Sequence, residues 1–144
     1  MSVYLKQGSV LTEIGPGALF HSLFSTIAVR LEQHAWGSRF PVVMNKLYEG
    51  KIESKDAEAA FAEISRIREG LAGLAPGQVI WDADDLSKVP PYGKHIGTHV
   101  RSCADYWMTT TGRNLVDEII DNLESLREFG GTLEVHSSYD LRRA

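Results

Sequence analysis

A single cysteine, Cys103, stands in this chain of 144 residues, which excludes a disulfide framework and any zinc site built on several thiolates and fits a reducing cytosol. The chain also lacks an excess of positive charge. Its 15 Lys and Arg stand against 19 Asp and Glu, a net charge of −4, whereas nucleic-acid binding needs clustered cations. Long apolar runs are missing too. The most apolar early stretch, 18–29, is broken by His21, Ser22, Ser25 and Thr26, and so falls short of the ~20 apolar residues that cross a bilayer. Residues 1–6 form no basic leader, and no repeat or low-complexity run is present. What remains is 43 % hydrophobic and 24 % charged, the balance of one cytoplasmic globular domain able to bury a core unaided. The expected domain covers 1–136, with 137–144 as a loose tail.

The residue pattern predicts an α+β fold, with helices packed on a small mixed or antiparallel sheet. Val3–Lys6 and Gly8–Thr12, around a Gln7-Gly8 turn, read as a hairpin. Phe20, Leu23, Phe24, Ile27 and Leu31 give a helix over about 18–33. Pro41 opens a short helix that turns Val42, Val43 and Leu47 inward before Gly50. Ser54 is expected to cap a helix over 54–74, whose stripe is Ala57, Ala60, Phe61, Ile64, Ile67, Leu71 and Leu74. Val79–Trp81 and Tyr106–Thr110 read as strands. Thr110 or Thr111 is expected to cap a helix over 112–129 carrying Val116, Ile119, Ile120, Leu123 and Leu126. Gly130-Gly131 ends that helix, and Thr132–His136 is the last strand.

Chemistry-bearing residues are sparse. Asp82, Asp84 and Asp85 follow a predicted strand, where oxygen ligands suit Mg²⁺, yet adjacent acids cannot surround an ion by themselves and equally form Asx turns. His95 and His99 have zinc spacing on a helix, with Cys103 or Asp105 as a third ligand, but Gly93 and Gly97 oppose that helix. Cys103 reads as core filler, and Ser38 lies outside any Gly-x-Ser-x-Gly elbow. No catalytic set is expected, and neither a metal nor another cofactor. On the last helix Asp117, Asp121, Glu124 and Glu128 fall within about 60° of one another, opposite the apolar stripe. Only Arg127 offers them an intrahelical partner. Such a face is either solvated exterior or a docking surface for a basic protein.

Taken in order, Val3-Tyr4-Leu5, Gly8-Ser9-Val10, Trp36-Gly37-Ser38-Arg39-Phe40-Pro41, Val79–Ser87 and Pro90-Pro91-Tyr92-Gly93 resemble the immunity protein 70 family of bacterial polymorphic-toxin and contact-dependent inhibition systems. The resemblance runs from about Val3 to Val135, with Tyr92 where a tryptophan is expected. It implies a cytoplasmic, non-enzymatic protein that binds the C-terminal domain of a cognate secreted toxin, and it carries no catalytic residues. The acids would then either mimic phosphates in a basic toxin cleft, as suits a nuclease target, or bind the toxin away from its active site. Of the two clusters the loop acids Asp82, Asp84 and Asp85 are favoured slightly, because Trp81 and Tyr92 flank them as aromatic anchors. The helix acids Asp117, Asp121 and Glu124 come second. Two other classes compete. One is a divalent-metal enzyme built on Asp82–Asp85, and the other a small-ligand regulatory domain with a pocket at Trp36, Trp81 or Trp107.

Overall fold

Alternating residues at the start of the chain pair as expected. In the computed structural model, which describes residues 2–91, 97 and 99–138, strands β1 (Ser2–Gln7) and β2 (Val10–Pro16) form an antiparallel hairpin. Gln7 faces Val10 across a turn where Gly8 takes a φ of 61°, a left-handed value that suits glycine. β3 (Lys51–Glu53) and β4 (Thr132–Ser137) complete the sheet in the order β2-β1-β4-β3, every pair antiparallel. Leu5, Ile14, Ile52 and Leu133 are fully buried on the sheet face turned toward the helices.

Those helices are α1 (Gly17–Thr26), α2 (Ala57–Ala72) and α3 (Leu115–Phe129). α1 runs on into a wider π-helical turn, Ile27–Leu31, and a second π-helical segment spans Val42–Leu47. The buried stripe of α2 is Ala57, Ala60, Ile64, Ile67 and Leu71, and that of α3 is Leu115, Val116, Ile119, Leu123 and Leu126. Phe61, Leu74 and Ile120 sit at the margins, only partly buried. α2 and α3 lie antiparallel, because Arg68 of α2 meets Asp117 at 3.2 Å and Glu58 meets Arg127 at 3.7 Å.

Buried acids fasten the segments between these elements. The carboxylate of Glu32, only 2 % exposed, accepts N–H bonds from Gly37 (2.9 Å), Arg39 (3.0 Å) and Phe40 (3.0 Å). The Trp36–Phe40 loop is therefore wrapped around one side chain. Getting there takes two residues through left-handed backbone, Gln33 (φ 52°) and His34 (φ 67°). Gly37 takes a left-handed φ of +79° that side-chain-bearing residues rarely adopt, and a Cβ there would come within 2.5 Å of the Asn45 amide, which would have to shift. Glu63 of α2 accepts the Val43 N–H at 2.9 Å and the Val42 N–H at 3.3 Å, capping the segment that Pro41 opens. Burial pushes the Glu63 carboxyl above its ordinary pKa, against the lowering effect of those two N–H bonds.

Four local expectations are corrected. Val79–Trp81 is not a strand. Its backbone partners are hydroxyls of α1: Ile80 N–H donates to Thr26 Oγ1 at 2.9 Å, and Ser22 Oγ donates to Ile80 O at 2.9 Å. Tyr106–Thr110 is not a strand either. A 3-10 turn, Cys103–Asp105, precedes it, and a single bridge joins Met108 to Asn114. Trp107 is driven into the core, where its Nε1–H bonds Ser22 Oγ at 3.1 Å. The cap of α3 is Asn114, whose Oδ1 accepts Asp117 N–H at 3.0 Å, not Thr110 or Thr111. Ser54 begins a 3-10 turn and makes no side-chain cap of α2. Of the expected tail, Ser137 ends β4, and 139–144 lie outside the described residues.

Candidate functional site

The loop acids are drawn together by their own turn and by α1. Asp82 Oδ1 accepts the Asp84 N–H at 2.9 Å and lies 3.1 Å from His21 Nε2, while Oδ2 lies 3.3 Å from Lys88 Nζ. The side chain of Asp82 is only 17 % exposed. The Asp84 N–H first, then the His21 bond, hold its carboxyl below the usual carboxylate range. Asp85 behaves alike: Ser87 donates both its hydroxyl and its N–H to Oδ1, which lowers the Asp85 pKa. Asp84 and Asp85 are both exposed, Asp85 with its carboxylate taken up by Ser87. Trp81 is partly buried against the core, and Tyr92 lies outside the described residues.

His21 extends this cluster inward, and nothing near Asp82 in the sequence announces it. Its Nδ1 lies 2.6 Å from the Tyr48 hydroxyl. With a neutral ring the network is consistent, Tyr48 O–H donating to Nδ1 and Nε2–H donating to Asp82. Tyr48 is clamped by rings of Phe24 (5.0 Å between centroids) and Trp36 (4.9 Å). Burial first, then the charges of Asp84 and Asp82, push the Tyr48 pKa up, so the phenol keeps its proton. Phenol, imidazole and carboxylate stand in a row, but the row holds a proton rather than activating an oxygen.

The acids of α3 are placed differently. Asp121, Glu124 and Glu128 are exposed, and among the described residues none of them forms an ion pair. Asp117 is half-buried and held by Arg68. Arg127 is not their intrahelical partner. It turns to α2, pairing with Glu58 and placing its guanidinium 4.1 Å from the Phe61 ring centre. Beside Asp121 a cleft of about 200 Å³ opens between α3 and the hairpin tip, lined by Gln7, Val10, Asn122 and Ser125. Gln7 closes its floor by donating to Asn122 O at 2.9 Å. Val10 is 62 % exposed at its rim, and Phe129, one turn past Ser125 on the same side of α3, is 77 % exposed.

The remaining candidates separate. His95 lies outside the described residues, so the His95/His99 pair has no geometry here. Burial pushes the Cys103 thiol up to about 11, and its Sγ–H donates to Ala75 O at 3.2 Å, the state of an inert core thiol. Asp105 accepts the Arg101 N–H at 3.4 Å, a local turn contact. Trp107 is fully buried, and Trp36 packs on Phe24 and Tyr48.

This geometry defines a small α+β domain with one acidic region tied inward and one facing solvent. The sequence model of the family described as Immunity protein 70 matches residues 5–135, and the chain belongs to that family. No curated protein and no solved structure matches the chain. No helix among the described residues is long and apolar enough to cross a membrane.

Proposed function

We propose that this immunity protein neutralises a cognate secreted toxin by stoichiometric binding in the cytoplasm, and that the outer face of α3 with the hairpin tip is its docking surface. One observation carries the reading: Asp121, Glu124 and Glu128 stand exposed with no cation paired to them among the described residues, beside the exposed apolar side chains of Val10 and Phe129. Uncompensated charge speeds encounter with an oppositely charged partner, and apolar anchors next to it supply the desolvated contacts that hold the complex. The partner this suits is a toxin domain with a basic surface, such as the substrate cleft of a nuclease. The loop acids fit the role less well, because Asp82 already faces His21 and Lys88, and Asp85 is held by Ser87. Asp84, exposed on that loop, would be its outer contact.

Coexpression with the cognate toxin domain tests the reading. Growth should be restored, and the two proteins should elute together at one copy each. A toxin that is inactivated without forming a complex would contradict it.

A further inference from the structure

We propose that His21, Asp82 and Asp84 form a binding site for a divalent transition-metal ion of the zinc type, with a fourth position left for water or an incoming ligand. The sequence alone pointed away from a metal, because acids adjacent along the chain cannot surround an ion by themselves and need a ligand from elsewhere in the fold. α1 supplies it.

One ligand atom from each of the three residues lies within 4.8 Å of the others. The spacing of the first two already suits an ion. Ligands held about 2.0 Å from a tetrahedral zinc stand about 3.3 Å apart, and His21 Nε2 and Asp82 Oδ1 are separated by 3.1 Å. The ring is also aimed. Tyr48 takes Nδ1 at 2.6 Å, so Nε2 is the nitrogen presented to the carboxylates, as in metal sites whose histidine is oriented by a partner on its other nitrogen. With an ion bound, Nδ1–H would donate to the Tyr48 oxygen. Asp84 needs only a rotation of an exposed side chain to join, and its N–H bond to Asp82 keeps both carboxylates on one turn. One imidazole and two carboxylates balance a divalent charge. The nitrogen ligand favours zinc over magnesium, which prefers oxygen and water.

Lys88 competes for this site. Its ammonium lies 3.3 Å from Asp82 Oδ2 on a side chain that is 58 % exposed, and an arriving ion must displace or tolerate it. That makes a distinguishing expectation: removing Lys88 should tighten metal binding, whereas a cluster that only pins the loop to α1 gives no such gain.

Chelator-treated full-length protein is titrated with ZnCl₂, and with MgCl₂ in parallel, by calorimetry. Co²⁺ serves as a spectroscopic probe of the same site. Wild type should take up one zinc per chain and no magnesium, and should give a visible Co²⁺ band of low-symmetry coordination. His21→Gln should abolish both signals, Asp84→Asn should weaken zinc binding at least tenfold, and Lys88→Ala should strengthen it severalfold. Asp84 is exposed, so Asp84→Asn tests the site even if His21→Gln disturbs α1. Absence of saturable zinc uptake overturns the proposal, as does Asp84→Asn binding zinc like wild type.

Discussion

Asp82 and Asp121 are both aspartates in acidic stretches, yet one is wrapped by its surroundings and the other faces water. Around Asp82 a backbone N–H, an imidazole and an ammonium converge, and the carboxylate joins loop to helix. Around Asp121 stand a cleft, an exposed valine and further acids one turn on. A count of acids therefore does not locate the charge a partner meets. Asp82 and Asp85 are bonded to neighbouring groups of the fold, whereas Asp121, Glu124 and Glu128 are exposed and, among the described residues, form no ion pair. Glu32 is the extreme of the first kind, with three N–H donors on one buried carboxylate.

The contrast breaks most visibly at that extreme. Glu32→Ala should lower stability by about 3–5 kcal/mol, since three backbone donors lose a charged acceptor in a buried place. Asp121→Ala should stay within about 0.5 kcal/mol, as surface changes do. Urea midpoints of the two variants measure this directly, and similar values for both would erase the distinction.

Acidity sharpens it with opposite signs. The Asp82 carboxyl is lowered in the fold, so its contribution is present above the ordinary carboxylate range and is lost as pH falls through the lowered value. The Glu63 carboxyl is raised, so the folded state binds its proton more readily. Its effect on stability improves as pH falls from neutral through the raised value, and the penalty is full at neutral pH. Denaturation midpoints of Asp82→Asn and Glu63→Gln, taken between pH 3 and 7, should each lack one of these slopes. The smallest effect belongs to the turn that feeds the Glu32 loop. Gln33→Gly or His34→Gly should stabilise the protein by up to about 1 kcal/mol, because each relieves a left-handed φ in a side-chain-bearing residue. A loss of stability at both positions would mean that their side chains matter more than their backbone.

What could be read from the sequence was local. The hairpin, the three helices and β4 each carry a period or a turn signal within a few residues of themselves. β3 is three residues long, too short for alternation to show. Val79–Trp81 has the composition of a buried strand and is indeed partly buried, but its backbone partners are hydroxyls on a helix 54 to 58 residues away. The same distance hid the site. Asp82 and the α3 acids were visible as residues, whereas His21 lies 61 residues from Asp82 and 27 from Tyr48, with no pattern linking them. The wheel placed Asp121, Glu124 and Glu128 on one face correctly. It assigned Arg127 to them because it could not see Phe61 and Glu58 on the neighbouring helix.

The central claim, that docking runs through the α3 face rather than the loop, rests on one comparison of affinities. Asp121→Lys with Glu124→Lys, and Asp84→Lys with Asp85→Lys, are each titrated with the cognate toxin domain at low and moderate salt. The account predicts that the α3 pair weakens binding about 100-fold or more, mainly through slower association at low salt, and that the loop pair changes it only a few-fold. An α3 variant that binds like wild type at both salt concentrations, beside a loop variant that no longer binds, would contradict it.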